Sequence, residues 1–122
     1  MSDERPPIWV GHFTIKTSAL DDSYEYMQKI GMRPIAKFDD VAVLELRGGT
    51  HLVLLREDEV EPAEVAVDLM VDDLDATHAT FTEDGLQPTV IERGQIHDLF
   101  YIEAPCAQRI KVNSTHVGDA PV

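Results

Sequence analysis

Cysteine is almost missing from this chain. Cys106 stands alone, so no internal disulfide can form and nothing points to an oxidising compartment. A free thiol suits a reducing cytoplasm, the expected location. Basic residues are scarce as well: 10 Lys and Arg face 23 Asp and Glu, and a formal charge of −13 repels phosphate backbones and anionic membranes. Nucleic acid is not an expected partner. Long apolar runs are also lacking, since no stretch approaches the roughly 18 residues of a membrane span, and the opening "MSDERPPIW" has no apolar signal core. The expectation is a protein that is neither exported nor held in a membrane.

What is present suffices for one core. With 122 residues, 43% of them hydrophobic, the chain fits a single domain over 1–122. That domain has an internal repeat. At an offset of 54, Leu20 falls on Leu74, Gly31 on Gly85, Met32 on Leu86 and Pro34 on Pro88 without a gap. "SALDDSYEYMQKIG" places Leu20, Tyr24, Met27 and Ile30 at helical spacing, with Ser18 as cap and Gly31 as stop. "DDLDATHATFTEDG" repeats the plan with Leu74, His78 and Phe81, Asp72 at its start and Gly85 at its end. A strand precedes each helix, "GHFTIKT" or "VAVDLMV", and β-rich segments follow: two strands about Gly48-Gly49, and "IHDLFYIEAPCAQRIKVNS" with a longer turn near Pro105. The units run from about 8 to 57 and about 65 to 114, and the acidic segment 58–64 links them. Chance placement of Gly and Pro could mimic a repeat. The apolar alternation argues otherwise.

In four strands one face is apolar: Phe13 and Ile15; Leu52 and Leu54; Val67, Leu69 and Val71; Ile110 and Val112. That face packs under the helices. The opposite face carries His12, Thr14 and Lys16; His51, Val53 and Leu55; Ala66, Asp68 and Met70; Arg109, Lys111 and Asn113. A concave face with such mixed polar groups can line a ligand cavity.

The paired units "GHFTIKTSALDDSYEYMQKIGM" and "VAVDLMVDDLDATHATFTEDGL", with the closing "FYIEAPCAQRIKVN", resemble the vicinal oxygen chelate superfamily of glyoxalase I, extradiol dioxygenases and bleomycin-binding proteins. The likeness covers residues 8 to about 114, and it departs from the family at Ala104 and Ala107, where Asp and Gly are usual. It implies an α+β fold of two tandem βαβββ modules forming a half-barrel, and a homodimer, in some members with exchanged modules. It also implies metal ligands on the first and last strands of each module, here His12, Val53, Ala66 and Lys111. Only the histidine suits a divalent ion, and an ammonium opposes one. No metal or other cofactor is therefore expected, although His51 and Asp68, two residues along from Val53 and Ala66, could join His12 in a shifted set.

His12 is either a hydrogen-bonded strand residue or a general base, a role open to neutral imidazole near pH 7. Asp68 interrupts an apolar strand and needs a partner, which Lys111 or Arg109 could supply, or else it accepts a proton or anchors ligand. Lys16, Arg109 and Lys111 on the inner face of an acidic protein point to an anionic ligand, though Lys16 fits a rim position with its head in water. His97 and Asp98 are adjacent, so at most one faces the cavity. The phrases "G-x-I-H-D-x-F" and "N-S-x-H" resemble bacterial superfamily members whose reaction is unassigned, which draws His97, Asp98, Asn113 and His116 into consideration without adding a chemistry. His78 reads as packing and Cys106 as an exposed thiol. Val53, Leu55, Met70 and Phe100 are expected to shape the cavity.

The leading expectation is a small-molecule protein that binds an organic anion without the usual metal, as a binding protein or a metal-independent enzyme. In it His12 and Asp68 are the catalytic candidates, and His51, His97, Asp98, Arg109, Lys111 and Asn113 hold ligand. A glyoxalase-type lyase or isomerase using the shifted metal set is the second reading. A drug-sequestering protein of the bleomycin-binding type is the third; the acidic charge suits a cationic drug, but the basic inner face opposes one.

Overall fold

The computed structural model describes residues 4–122. The first half contains β1 (His12–Thr17), α1 (Leu20–Lys29), β2 (Arg33–Lys37), β3 (Val41–Glu45) and β4 (His51–Arg56). The second contains β5 (Ala63–Glu64), β6 (Leu69–Val71), α2 (Leu74–Glu83), β7 (Glu92–Arg93), β8 (Asp98–Ala104) and β9 (Gln108–Ser114). Both helices have 10 residues, and their first residues, Leu20 and Leu74, stand at the offset of the sequence repeat.

Pairing repeats as well. In the first sheet β1 lies parallel to β4, and β3 and β2 follow antiparallel. In the second β6 lies parallel to β9, followed by β8 and β7 antiparallel, with the short β5 also on the free side of β9. The chain is thus an α+β fold of two β-α-β-β-β units with mixed sheets.

Period-two burial explains how each sheet meets its helix. Ile15, Ala42, Leu44, Leu52 and Leu54 are buried beneath α1, which lends Leu20 and Met27 to the core. Phe100, Ile102, Ile110 and Val112 are buried beneath α2, where Phe81 meets Phe100 edge to face at 5.9 Å. These residues form one cluster that runs through both units.

The helix signals held, with local changes of partner. Gly31 and Gly85 end the helices at φ 119° and 76°, a region that costs glycine nothing. The expected caps Ser18 and Asp72 do other things. α1 starts from Ala19 with no side-chain cap, while Ser18 Oγ lies 3.1 Å from Cys106 Sγ. Asp73 caps α2 by accepting from the Ala76 N–H at 3.0 Å, and Asp72 pairs with Arg47. Asp73→Ala should therefore lower stability by about 1 kcal/mol, read as a urea midpoint shift, because a helix donor loses its acceptor. An unchanged midpoint would leave that bond without energetic weight.

Two further expectations are corrected. The strand read across "VAVDLMV" is regular only over Leu69–Val71: Val65 still donates its N–H to the Arg109 carbonyl of β9, and the chain then bends at residues 66–67 between β5 and β6. Part of the acidic linker, Ala63–Glu64, pairs with β9 instead of running free. In the turn after β8, Cys106 and Ala107 both take left-handed backbone, at φ 65° and 55°, so Ala107 adopts without a glycine a conformation that favours one. No helix among the described residues is long and apolar enough to cross a membrane.

Candidate functional site

The faces turned away from the helices carry the polar side chains, and the strand register decides which of them meet. In the first sheet His12 lies opposite His51, His51 opposite Glu45, and Glu45 opposite Arg33, a row across all four strands. The His12 and His51 rings stand 5.8 Å apart at 31°. His51 Nε2–H donates to Glu45 Oε2 at 3.0 Å, and Arg33 donates to the other carboxylate oxygen. The bond from Arg33, together with that from His51, holds the Glu45 carboxyl below its usual range against the opposing effect of burial. His12 has no hydrogen-bond partner among the described residues. A cavity of about 410 Å³ opens at this end, walled by Pro7, Ile8, Trp9, Gly11 and the two imidazoles.

In the second sheet Arg109, Lys111 and Asn113 alternate with buried Ile110 and Val112, so all three project from the open face. Tyr101 lies directly opposite Lys111 on β8. The Arg109 guanidinium sits over the Tyr101 ring, 3.7 Å from its centre, and Lys111 Nζ is 5.8 Å from the same centre. Neither cation has a carboxylate within ion-pair distance among the described residues. The partner weighed for Asp68, Lys111 or Arg109, is instead Asn113, whose Nδ2 donates to Asp68 Oδ2 at 3.2 Å. Asn113 is 8% exposed, and its Oδ1 has no partner among the described residues.

Other candidates lie elsewhere. Asp98 shares the Phe100 side of β8, facing α2, where Arg93 bridges it at 2.8 Å to Asp75 at 2.7 Å. His97 turns the other way; its Nδ1–H donates to the Ser114 carbonyl at 3.3 Å, and its ring meets that of His116. Phe100, expected to shape the cavity, is fully buried against α2, and Tyr101 takes the open face. Leu55 and Met70 do project there and are 37% and 45% exposed, so this face is open rather than enclosed. Lys16 reaches Glu57 at 3.4 Å with its head in water. His78 packs edge-on to Phe100 and donates to the Thr89 carbonyl, as its helix position suggested. Cys106, expected to be exposed, is partly covered by the end of β1 and the residue after it: hydrogen bonds from the Ser18 hydroxyl, then that of Thr17, lower its thiol pKa. A second cavity, of about 580 Å³ at the start of α1, contains none of the candidate residues.

Sequence reading missed Glu45, Arg33 and Tyr101. Glu45 continues the outward alternation of Val41 and Val43, and Tyr101 follows from the register with Lys111, so a signal existed only once strands were paired.

The donor set at the positions that the resemblance assigns to a metal does not fit one. His12, Val53, Ala66 and Lys111 offer one imidazole, two hydrocarbons and an ammonium. The shifted set fares no better, because no group of three or more His, Cys, Asp or Glu among the described residues could hold an ion. His12 and His51 adjoin on the first sheet, but Asp68 immediately precedes β6 of the second and bonds Asn113.

No family model and no curated protein matches the sequence. Solved structures do match. A lactoylglutathione lyase from Agrobacterium tumefaciens aligns with TM-score 0.76 at 16% identity, over 92% of this chain and 97% of the other. A glyoxalase/bleomycin resistance protein/dioxygenase from Alicyclobacillus acidocaldarius gives 0.72 at 22% identity, over 93% and 96%. A bleomycin resistance determinant encoded on the transposon Tn5 gives 0.74 at 13%, over 90% and 100%. At these identities the likeness is one of architecture: the chain has the paired β-α-β-β-β fold of the glyoxalase/bleomycin resistance/dioxygenase proteins.

Proposed function

We propose that this protein is a member of the vicinal oxygen chelate superfamily that binds a small organic anion on the open face of its second sheet, without the superfamily's usual metal. One observation carries the reading. Among the described residues Lys16, Arg33, Lys37, Arg47 and Arg93 pair with carboxylates and Lys29 and Arg56 do not, whereas Arg109 and Lys111, also without an ion pair, are gathered on one ring, that of Tyr101. In a chain of net charge −13, two cations gathered on one ring with no acid in ion-pair contact form a local concentration of positive charge. A guanidinium over an aromatic face keeps N–H donors at its edges, and a carboxylate or phosphate accepts them in charge-assisted hydrogen bonds. Asn113 extends this surface along β9, where its Nδ2 holds the Asp68 carboxylate. In the enzymatic form of the reading, His12 accepts a proton in the cavity at the end of the first sheet, where His51 is oriented by Glu45.

The test is calorimetric titration of tag-free protein with a panel of organic carboxylates, phosphate monoesters and organic cations at two salt concentrations. Anions should bind, and added salt should weaken them. Binding confined to the cations would contradict the proposal and favour drug capture of the bleomycin type.

A further inference from the structure

His97 and His116 have no part in that reading, yet the fold gathers them. The antiparallel register places Leu99 opposite Asn113, which brings the residue before β8 beside the segment just after β9. There the two imidazole rings stand 4.8 Å apart, centre to centre, with their planes at 69°. A carbonyl can only accept, so the bond to the Ser114 carbonyl puts the neutral His97 proton on Nδ1 and leaves the Nε2 lone pair free. A backbone carbonyl holding the non-ligating nitrogen is the outer-shell arrangement that orients metal-binding histidines. His116 has no hydrogen bond among the described residues, and it is exposed. Neither ring contributes to the buried cluster that holds the fold together.

We infer that His97 and His116 form a two-histidine site for a divalent transition ion of the zinc, nickel or copper class. Imidazole suits these ions and not magnesium or calcium, which prefer oxygen. Because no third His, Cys, Asp or Glu joins the pair among the described residues, water completes the coordination, and affinity is modest. The net charge of −13 draws cations to the surface and helps the ion approach. The site shares no residue with the positions that the superfamily resemblance assigns to metal or with the cations around Tyr101, so it does not depend on them.

The experiment is a side-chain histidine NMR titration of tag-free protein, with Zn²⁺ for shifts and Cu²⁺ for paramagnetic broadening. His12, His51, His78, His97 and His116 are assigned by single substitutions. His97 and His116 should respond together and first, saturating at one equivalent. His116→Ala, a change at an exposed position beyond the last strand, should weaken the binding at least about tenfold, and His97→Gln should do the same. Undisturbed signals from this pair in excess metal would overturn the inference. So would a first response at His12 and His51, or binding indifferent to both substitutions.

Discussion

Phe100→Ala should lower the free energy of unfolding by about 3–5 kcal/mol, the largest stability loss expected from one substitution in this chain. Phe100 is fully buried and packs edge to face against Phe81 at 5.9 Å and His78 at 5.0 Å, so it ties α2 to β8. Truncation removes the ring from the cluster and leaves a cavity that helix and sheet cannot close without breaking their register. A domain of this size has a total stability of only about 5–15 kcal/mol, so the variant should lose a large share of it. Chemical denaturation with an unchanged slope and a lowered midpoint would confirm it. Tyr101→Ala, one residue along on the open face, should cost much less stability. A similar loss at both positions would contradict the assignment of faces.

Lys111→Glu should have the opposite profile, with a small effect on folding and a large one on binding. Lys111 projects from the side of β9 that bears no helix, and it has no carboxylate partner to strand. Removing a charged hydrogen bond costs about 1.5–3 kcal/mol of affinity, and placing a carboxylate there adds repulsion, so an anion should lose at least about a hundredfold. Lys111→Met keeps the hydrocarbon stem and drops only the charge; it should lose about tenfold and show that packing is not the cause. Unchanged anion affinity in both variants would remove Lys111 from the site.

Much of the fold was legible because its signals are local and repeated. Helix stops at Gly31 and Gly85 need a backbone that glycine supplies freely, and the equal spacing of Leu20 and Leu74 placed both helices. What misled were neighbours of equal chemistry. Asp72 and Asp73 are both good caps, and only the hydrogen bond to Ala76 chooses between them. "VAVDLMV" is apolar at every position but Asp68, and apolar character reports burial, not pairing, so the bend at residues 66–67 was invisible. The run "LFYI" is apolar at every position, and such a run does not state its phase. That is why Phe100 was expected where Tyr101 stands.

The candidate site divided along the same line. Arg109, Lys111 and Asn113 were readable as one face of one strand, because alternation with Ile110 and Val112 fixes their side. The partner of Asp68, the row from His12 to Arg33 and the contact of His97 with His116 depend on register between distant segments. No single-strand pattern carries that information.

The central claim is that the cations around Tyr101 receive an organic anion. The most direct measurement is amide and side-chain chemical-shift mapping while a small dicarboxylate or phosphate monoester is titrated into wild-type protein and into Lys111→Glu. The account predicts saturable shifts centred on Tyr101, Arg109, Lys111 and Asn113 that vanish in the variant. Shifts centred elsewhere, or identical in the two proteins, would contradict it.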